Sequence, residues 1–308
     1  MHVLTSEDDE DTIQRFRRDD KAYFAHRLEL ERRISQGLSI SWSGTDAANQ
    51  FAEAVKQHLR AKINDPSLLK ALLSPSFNPG CRSLSPCDGY LAALNKPHVQ
   101  LLTWPITRTE GNALITADGQ RHVYDVIVCA TGFDAFTPRF SIIGREGRNL
   151  SELWSDEGGY ESYMSATVAG FPNFFVFYPP ICPLIGSSYP GIERASDYMI
   201  RVISRLQTDQ LSSICVRDSA QAAFNRWVQS RMPSMVWSQH CTSWYKSRGG
   251  KVVGPWPGTI LHYYAATEIV RWEDYELGFI DEDQKYSSFG NGVTLGGFDP
   301  ESFPWLRV

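Results

Sequence analysis

Asp125-Val126-Ile127-Val128-Cys129-Ala130-Thr131-Gly132-Phe133-Asp134 is the stretch on which the reading of this chain turns. A β-branched apolar run that stops at a small residue and a glycine has the pattern of an interior strand ending beside a bound ligand. Glycine at such a point lets a second group approach the backbone closely. A dinucleotide site needs more than this: a strand, a glycine-rich turn and a helix N-terminus that holds the pyrophosphate. No G-x-G-x-x-G occurs in the 308 residues; the nearest match, Gly290, Gly292 and Gly296, has the wrong spacing and follows no apolar strand. One end of such a site is therefore present without the other.

Upstream of this stretch, Val99–Thr103, Pro105–Thr109 and Ala113–Thr116 read as short strands, and His122–Ala130 reads as a longer one. Glu110-Gly111-Asn112 and Asp118-Gly119 supply hairpin turns, so the four form a β-meander. Further towards the N-terminus the pattern becomes helical. Ile13, Phe16, Tyr23, Leu28, Leu30 and Ile34 lie among dense charges, which predicts one or two amphipathic helices within residues 12–36, stopped at Gly37. Thr45-Asp46 predicts the cap of another helix carrying Phe51, Val55, Leu59 and Ile63 and ended by Asn64-Asp65-Pro66. The composition shifts near residue 75, which divides the chain into a helical segment, 1–75, and a mixed segment, 76–308. Downstream, residues 174–177 read as a strand, and 191–206, 219–231 and 259–270 as helices.

The net charge of −5 and the 21% charged residues argue against nucleic acid or an anionic membrane surface as the main partner. Residues 1–10 carry neither a basic nor an apolar leader region, and no apolar run reaches the ~20 residues needed to span a bilayer. The six cysteines, Cys81, Cys87, Cys129, Cys182, Cys215 and Cys241, form no C-x-x-C pair and read as reduced thiols, so a cytoplasmic location is expected. Cys241 beside His240 has no third ligand at suitable spacing, which makes a packed thiol the expectation and leaves no metal site. Lys246, Arg248 and Lys251 read as a solvated loop face.

A set of ordered segments carries a resemblance. Pro79-Gly80-Cys81-Arg82, Asp88-Gly89-Tyr90-Leu91, the meander and Ala130-Thr131-Gly132-Phe133-Asp134 come first. Leu150-Ser151-Glu152-Leu153-Trp154, Gly170-Phe171-Pro172-Asn173-Phe174-Phe175 and Ile192-Glu193 follow, with Tyr198 in the next helix. Cys241-Thr242-Ser243-Trp244-Tyr245-Lys246, Trp256-Pro257-Gly258, Arg271-Trp272-Glu273-Asp274-Tyr275 and Phe289-Gly290-Asn291-Gly292 complete it. In this order they resemble the C-terminal half of the Baeyer–Villiger-type flavin-containing monooxygenases, within the class B flavoprotein monooxygenases. Residues 1–75 resemble, more loosely, the helical part of that family's NADP domain, and 76–308 the C-terminal part of its FAD-binding and monooxygenase domain.

The resemblance implies an incomplete α/β fold with two dinucleotide-binding domains: a β-meander plus part of the FAD-domain sheet, with helices, lacking the N-terminal FAD βαβ unit. It implies FAD and NADPH as cofactors, with Ala130, Thr131, Gly132 and Asp134 beside the flavin. It also places Trp244 and Tyr245 as walls of a small-molecule pocket between the end of the Val126–Ala130 strand and their own loop. The family's glycine-rich turns and its F-x-G-x-x-x-H-x-x-x-W-P fingerprint are not in these residues, and Tyr178-Pro179-Pro180 stands where the family has Gly-Pro-Asn. The leading expectation is thus a truncated FAD-dependent monooxygenase homologue from secondary-metabolite tailoring, unable to oxygenate a ketone by itself. The alternatives are a flavin-independent isomerase or cyclase using the inherited pocket, and a non-catalytic binding remnant. Apolar faces left open at Val126, Val128 and Phe175 predict self-association or pairing with a related chain.

Overall fold

The structure is a computed structural model and describes residues 10–73, 77–82, 88–155, 159–177, 180–294, 297 and 299–306. The chain divides into two compact units, one of residues 1–135 with 229–252 and one of residues 136–228 with 253–308. The sequence-derived boundary at 75/76, Cys87, and Tyr178 and Pro179 lie outside the described residues.

In the first unit the charge-rich start forms α1 (Glu10–Arg18) and α2 (Asp20–Gln36), followed by a 3-10 turn at Gly37–Ser41. Helix α3 (Asp46–Lys62) begins where the sequence places it, with the Thr45 hydroxyl accepting from the Ala48 N–H at 3.2 Å. Its end at Ile63 precedes α4 (Pro66–Leu73), and proline at the first helical position costs no hydrogen bond there. The Asp65 carboxylate caps this start: it accepts from the Ser67 hydroxyl and N–H, which holds its pKa below the usual range. After α5 (Asp88–Leu94) come β1 (Ile106–Glu110), β2 (Ala113–Thr116) and β3 (Arg121–Val123), an antiparallel sheet in the order β1-β2-β3. The two predicted turns join them. Only β2 is largely buried, because it is the central strand.

The meander stops earlier than the sequence pattern predicts. Strand β3 ends at Val123, and residues 126–135 run on without a ladder; Val99–Thr103 likewise forms no strand. Extended backbone becomes a strand only when a neighbour pairs its N–H and C=O groups, and otherwise those groups turn to water. The apolar side chains follow: Val126 is 76% and Val128 83% exposed. Phe175, expected to share this exposure, is half-buried and bridges to Thr167.

The cysteine reading also needs correction. Cys81 and Cys241 form a disulfide across 160 residues, so Cys241 is not a packed thiol. The bond ties the 77–82 loop to the segment 235–247. Around it the Asn78 N–H donates to Gln239 Oε1 at 2.5 Å, and Gly80 lies against Val236. A pairing over this distance leaves no local spacing to read. It also removes the cysteine argument for a reducing compartment.

The second unit holds α6 (Leu150–Leu153), α7 (Ser188–Thr208), β4 (Leu211–Val216), α8 (Asp218–Arg231, to Val228 in this unit), α9 (Ile260–Ala266) and β5 (Tyr275–Phe279). Strands β4 and β5 pair antiparallel, a two-stranded ribbon that the sequence reading missed. One core packs Leu150, Trp154, Val168, Phe171 and Val253 around the rings of Phe136 and Tyr160. Gly170 is needed beside it. Its φ of +83° suits glycine, and a Cβ there would come within 2.8 Å of the Arg148 guanidinium. Asn173 closes the following turn: its own N–H donates to the Ile214 carbonyl at 3.0 Å, and its side-chain oxygen accepts from the Ile214 N–H at 2.9 Å.

A second core is polar at its centre. The Tyr275 hydroxyl lies 3.0 Å from that of Tyr198 and 3.3 Å from that of Thr167, and all three residues are buried. Next to it the Tyr163 hydroxyl donates to Asp274 Oδ2 at 2.5 Å. Burial is the main force on all three phenols. It pushes Tyr275 up to about 12 and raises Tyr198 and Tyr163 as well, with the Asp274 carboxylate adding to the effect at Tyr163. Arg194 on α7 is buried as well, its Nε donating to Thr267 Oγ1 at 2.9 Å and its Nη2 to Glu268 Oε2 at 2.5 Å.

Two outcomes follow from these packings. Replacing Cys81 and Cys241 together by Ser should lower stability by about 2–5 kcal/mol, read by chemical denaturation of the oxidised protein. Equal stability of the two forms would mean that the bond is not made in solution. The second concerns alkali. An unfolded tyrosine loses its proton near pH 10, whereas Tyr275 in the fold keeps it to about 12. Its contribution is therefore complete below about pH 10 and is lost as the pH rises through that window. The melting temperature should fall over this range, and Tyr275→Phe should make the fall shallower; an unchanged slope would remove Tyr275 from the account.

Candidate functional site

Ala130, Thr131, Gly132 and Asp134 all lie in the first unit, on an exposed segment without regular structure. Phe133 between them is 92% exposed. Gly132 has a φ of +95°, and no atom lies within 4 Å of the place a Cβ would occupy. The backbone from 131 to 133 is thus open to close approach, as the edge of a flat cofactor requires.

Trp244 and Tyr245 belong to the same unit, in the loop that follows the disulfide. Their rings pack together at 4.7 Å, and Tyr245 meets Trp237 edge-on at 6.5 Å. Trp237 is buried and Trp244 is 41% exposed, so the cluster presents one aromatic face outward. Lys246 is not the solvated residue that the sequence suggests. It is half-buried and donates to the Gln239 carbonyl, and burial lowers its pKa. The disulfide, the Gln239 contacts and this ammonium together fix where the aromatic pair stands.

Sequence reasoning did not point to a further feature, an open cleft of about 350 Å³ that lies wholly in the second unit. Its wall is built from Phe224 and Trp227 of α8 with Trp256, and Tyr163, Arg271 and Asp274 also line it. Trp256 lies in the Trp256-Pro257-Gly258 segment, whose resemblance alone marks it. Helix α8 has buried residues at 224, 225 and 228, so the helical periodicity of this stretch was readable but its open side was not. Among the described residues no cluster of His, Cys, Asp and Glu could hold a metal ion, and no helix is long and apolar enough to cross a membrane.

No protein-family model matches the chain. It is 32% identical over 306 residues to the FAD-binding monooxygenase moxY of Dothistroma septosporum, covering 97% of this chain and 48% of that protein. To the FAD-binding monooxygenase tazF of Aspergillus terreus it is 32% identical over 290 residues, covering 92% of this chain and 51% of the relative. Among solved structures, a closed cyclohexanone monooxygenase superposes with a TM-score of 0.65 at 25% identity over 78% of this chain and 46% of the other. An oxidised steroid monooxygenase bound to NADP gives 0.64 at 26% identity, over 76% of this chain and 46% of the other. The chain spans about half the length of the curated relatives it matches. Sequence segments and backbone agree in their likeness to the Baeyer–Villiger-type flavin-containing monooxygenases, over about half of those proteins' length.

Proposed function

We propose that these residues form the C-terminal half of a FAD- and NADPH-dependent monooxygenase that oxygenates a ketone or related small molecule in secondary-metabolite tailoring. Ala130, Thr131, Gly132 and Asp134 are its flavin-facing edge, and Trp244 and Tyr245 are part of its substrate wall. Residues 1–75 correspond to the helical part of the NADP domain and 76–308 to the C-terminal part of the FAD-binding and monooxygenase domain. The observation that carries this reading is the open apolar segment from Val126 to Phe133, which leads straight into the flavin-edge residues. A run of this composition has the chemistry of an interior strand and lacks its neighbours here.

The residues present fit one side of FAD and not the whole of it. Open backbone at Gly132 suits a flat ring edge. A pyrophosphate needs a glycine-rich turn ahead of a helix, and the 308 residues contain none. These residues alone therefore do not hold the cofactor, and no chemical step is assigned to them. The nucleotide cradle has to come from a further polypeptide segment, which pairs with Val126, Ile127 and Val128 as strand neighbours.

The 308-residue protein should purify colourless. When co-expressed with the nucleotide-binding half of a relative such as moxY, it should form a yellow complex. Val128→Asp should abolish that complex and leave the melting temperature of the chain unchanged, because Val128 is 83% exposed. Stoichiometric flavin absorbance in the isolated protein would overturn the division of labour. A complex indifferent to Val128→Asp would overturn the strand pairing.

A further inference from the structure

The cleft of the second unit has features that the flavin edge and the 244–245 loop do not share. Three large rings form its wall, with centroids 5.6 Å apart for Trp227 and Trp256 and 5.9 Å for Phe224 and Trp256. Trp256 is buried, whereas Trp227 is part-exposed, so the wall runs from the core to the surface. His262 extends it: its Nδ1 accepts from Trp256 Nε1 at 3.1 Å, which leaves the proton of the neutral ring on Nε2, free of that contact. Aromatic walls with a few convergent polar groups are what a small aromatic ligand fits.

The polar groups come from Tyr163, Arg271 and Asp274. Asp274 Oδ2 is engaged by the Tyr163 hydroxyl, and Arg271 adds a guanidinium to the same lining. A carboxylate and a guanidinium together accept one hydrogen bond and donate another, and a hydroxyl group does both in return. A plain anion would meet the Asp274 charge, and an unsubstituted hydrocarbon would leave both groups unanswered. The backbone beside them is unusual. Met164, which lines the cleft, and Ser165 after it both have left-handed φ values, 52° and 57°. Such conformations in residues with side chains cost energy and tend to collect at binding sites.

We propose that this cleft binds a flat, hydroxylated aromatic molecule of fused-ring size, stacked on the part-exposed ring of Trp227, which is tilted 55° from that of Trp256, with its hydroxyl between Arg271 and Asp274. The site uses none of the residues assigned to the flavin edge and does not depend on that assignment.

The test uses the full 308-residue chain and 2-naphthol as probe, with 2-methoxynaphthalene as the compound that cannot donate. Saturable binding of 2-naphthol is expected, several-fold tighter than that of 2-methoxynaphthalene. Trp227→Ala should weaken it about ten-fold, the loss of roughly one ring contact. Arg271→Gln should narrow the preference for 2-naphthol over its methyl ether. Ala223→Trp, which fills the cleft from a part of α8 that is already exposed, should block binding while the melting temperature holds. No saturable binding, or binding that survives both Trp227→Ala and Ala223→Trp, overturns the site. Equal affinity for 2-naphthol and 2-methoxynaphthalene overturns the role given to Arg271 and Asp274.

Discussion

The second unit depends on where one strand begins. Tyr275 starts β5 and buries its hydroxyl between those of Tyr198 on α7 and Thr167 in the turn after Met164. Asp274, one residue earlier, takes the Tyr163 hydroxyl, and its carbonyl accepts the Arg217 N–H at 2.8 Å just beyond β4. Helix, strand and turn are therefore bound to two consecutive residues. An unpaired hydroxyl in such a place costs about 1–3 kcal/mol, so each of these groups constrains the others. The register of β4 on β5, Val216 opposite Tyr275, places the ribbon against the same set.

That arrangement also explains the cleft. Tyr163 and Asp274 face both the buried phenols and the open wall, so the polar end of the cleft is held by the core itself. Groups fixed in this way lose little freedom when a ligand arrives. Arg271 is less constrained, since its side chain is 63% exposed and its carboxylate neighbour Glu273 is 3.9 Å away. It can adjust to the ligand, while Asp274 cannot.

Much of this was legible in the sequence, and the failures have physical causes. Helix α3 was readable because its cap, its apolar spacing and its proline stop are local signals. Strands β1 and β2 were readable from alternation and turn residues. Strands β4 and β5 were missed because Leu211–Val216 carries two serines and Tyr275–Phe279 a glycine, and their pairing spans more than fifty residues of intervening chain. The Cys81–Cys241 bond was missed for the same reason, as no local spacing encodes a contact made across 160 residues. Val126–Ala130 failed differently. Its composition specifies an interior strand, but composition only states a preference, and a ladder needs partners. The flavin-edge and pocket residues were named through the family resemblance, whereas the second-unit cleft, built from dispersed rings, had no motif to announce it.

The open segment and the closed core set different demands on the same chain. In the second unit every buried hydroxyl of the Tyr275 set has a partner within the unit. In the first unit Val126, Ile127, Val128 and Phe133 face solvent in one continuous run, each worth about 1.5–3 kcal/mol when fully buried. Exposed apolar runs of this kind mark interaction surfaces. Strand composition narrows the choice further. A helix groove would suit scattered apolar residues, but a β-branched run with free N–H and C=O groups suits an added strand, which satisfies backbone and side chains together. The same pairing would shield residues 130–134 from water, so under the proposed function burial of the strand and completion of the cofactor site would be one event.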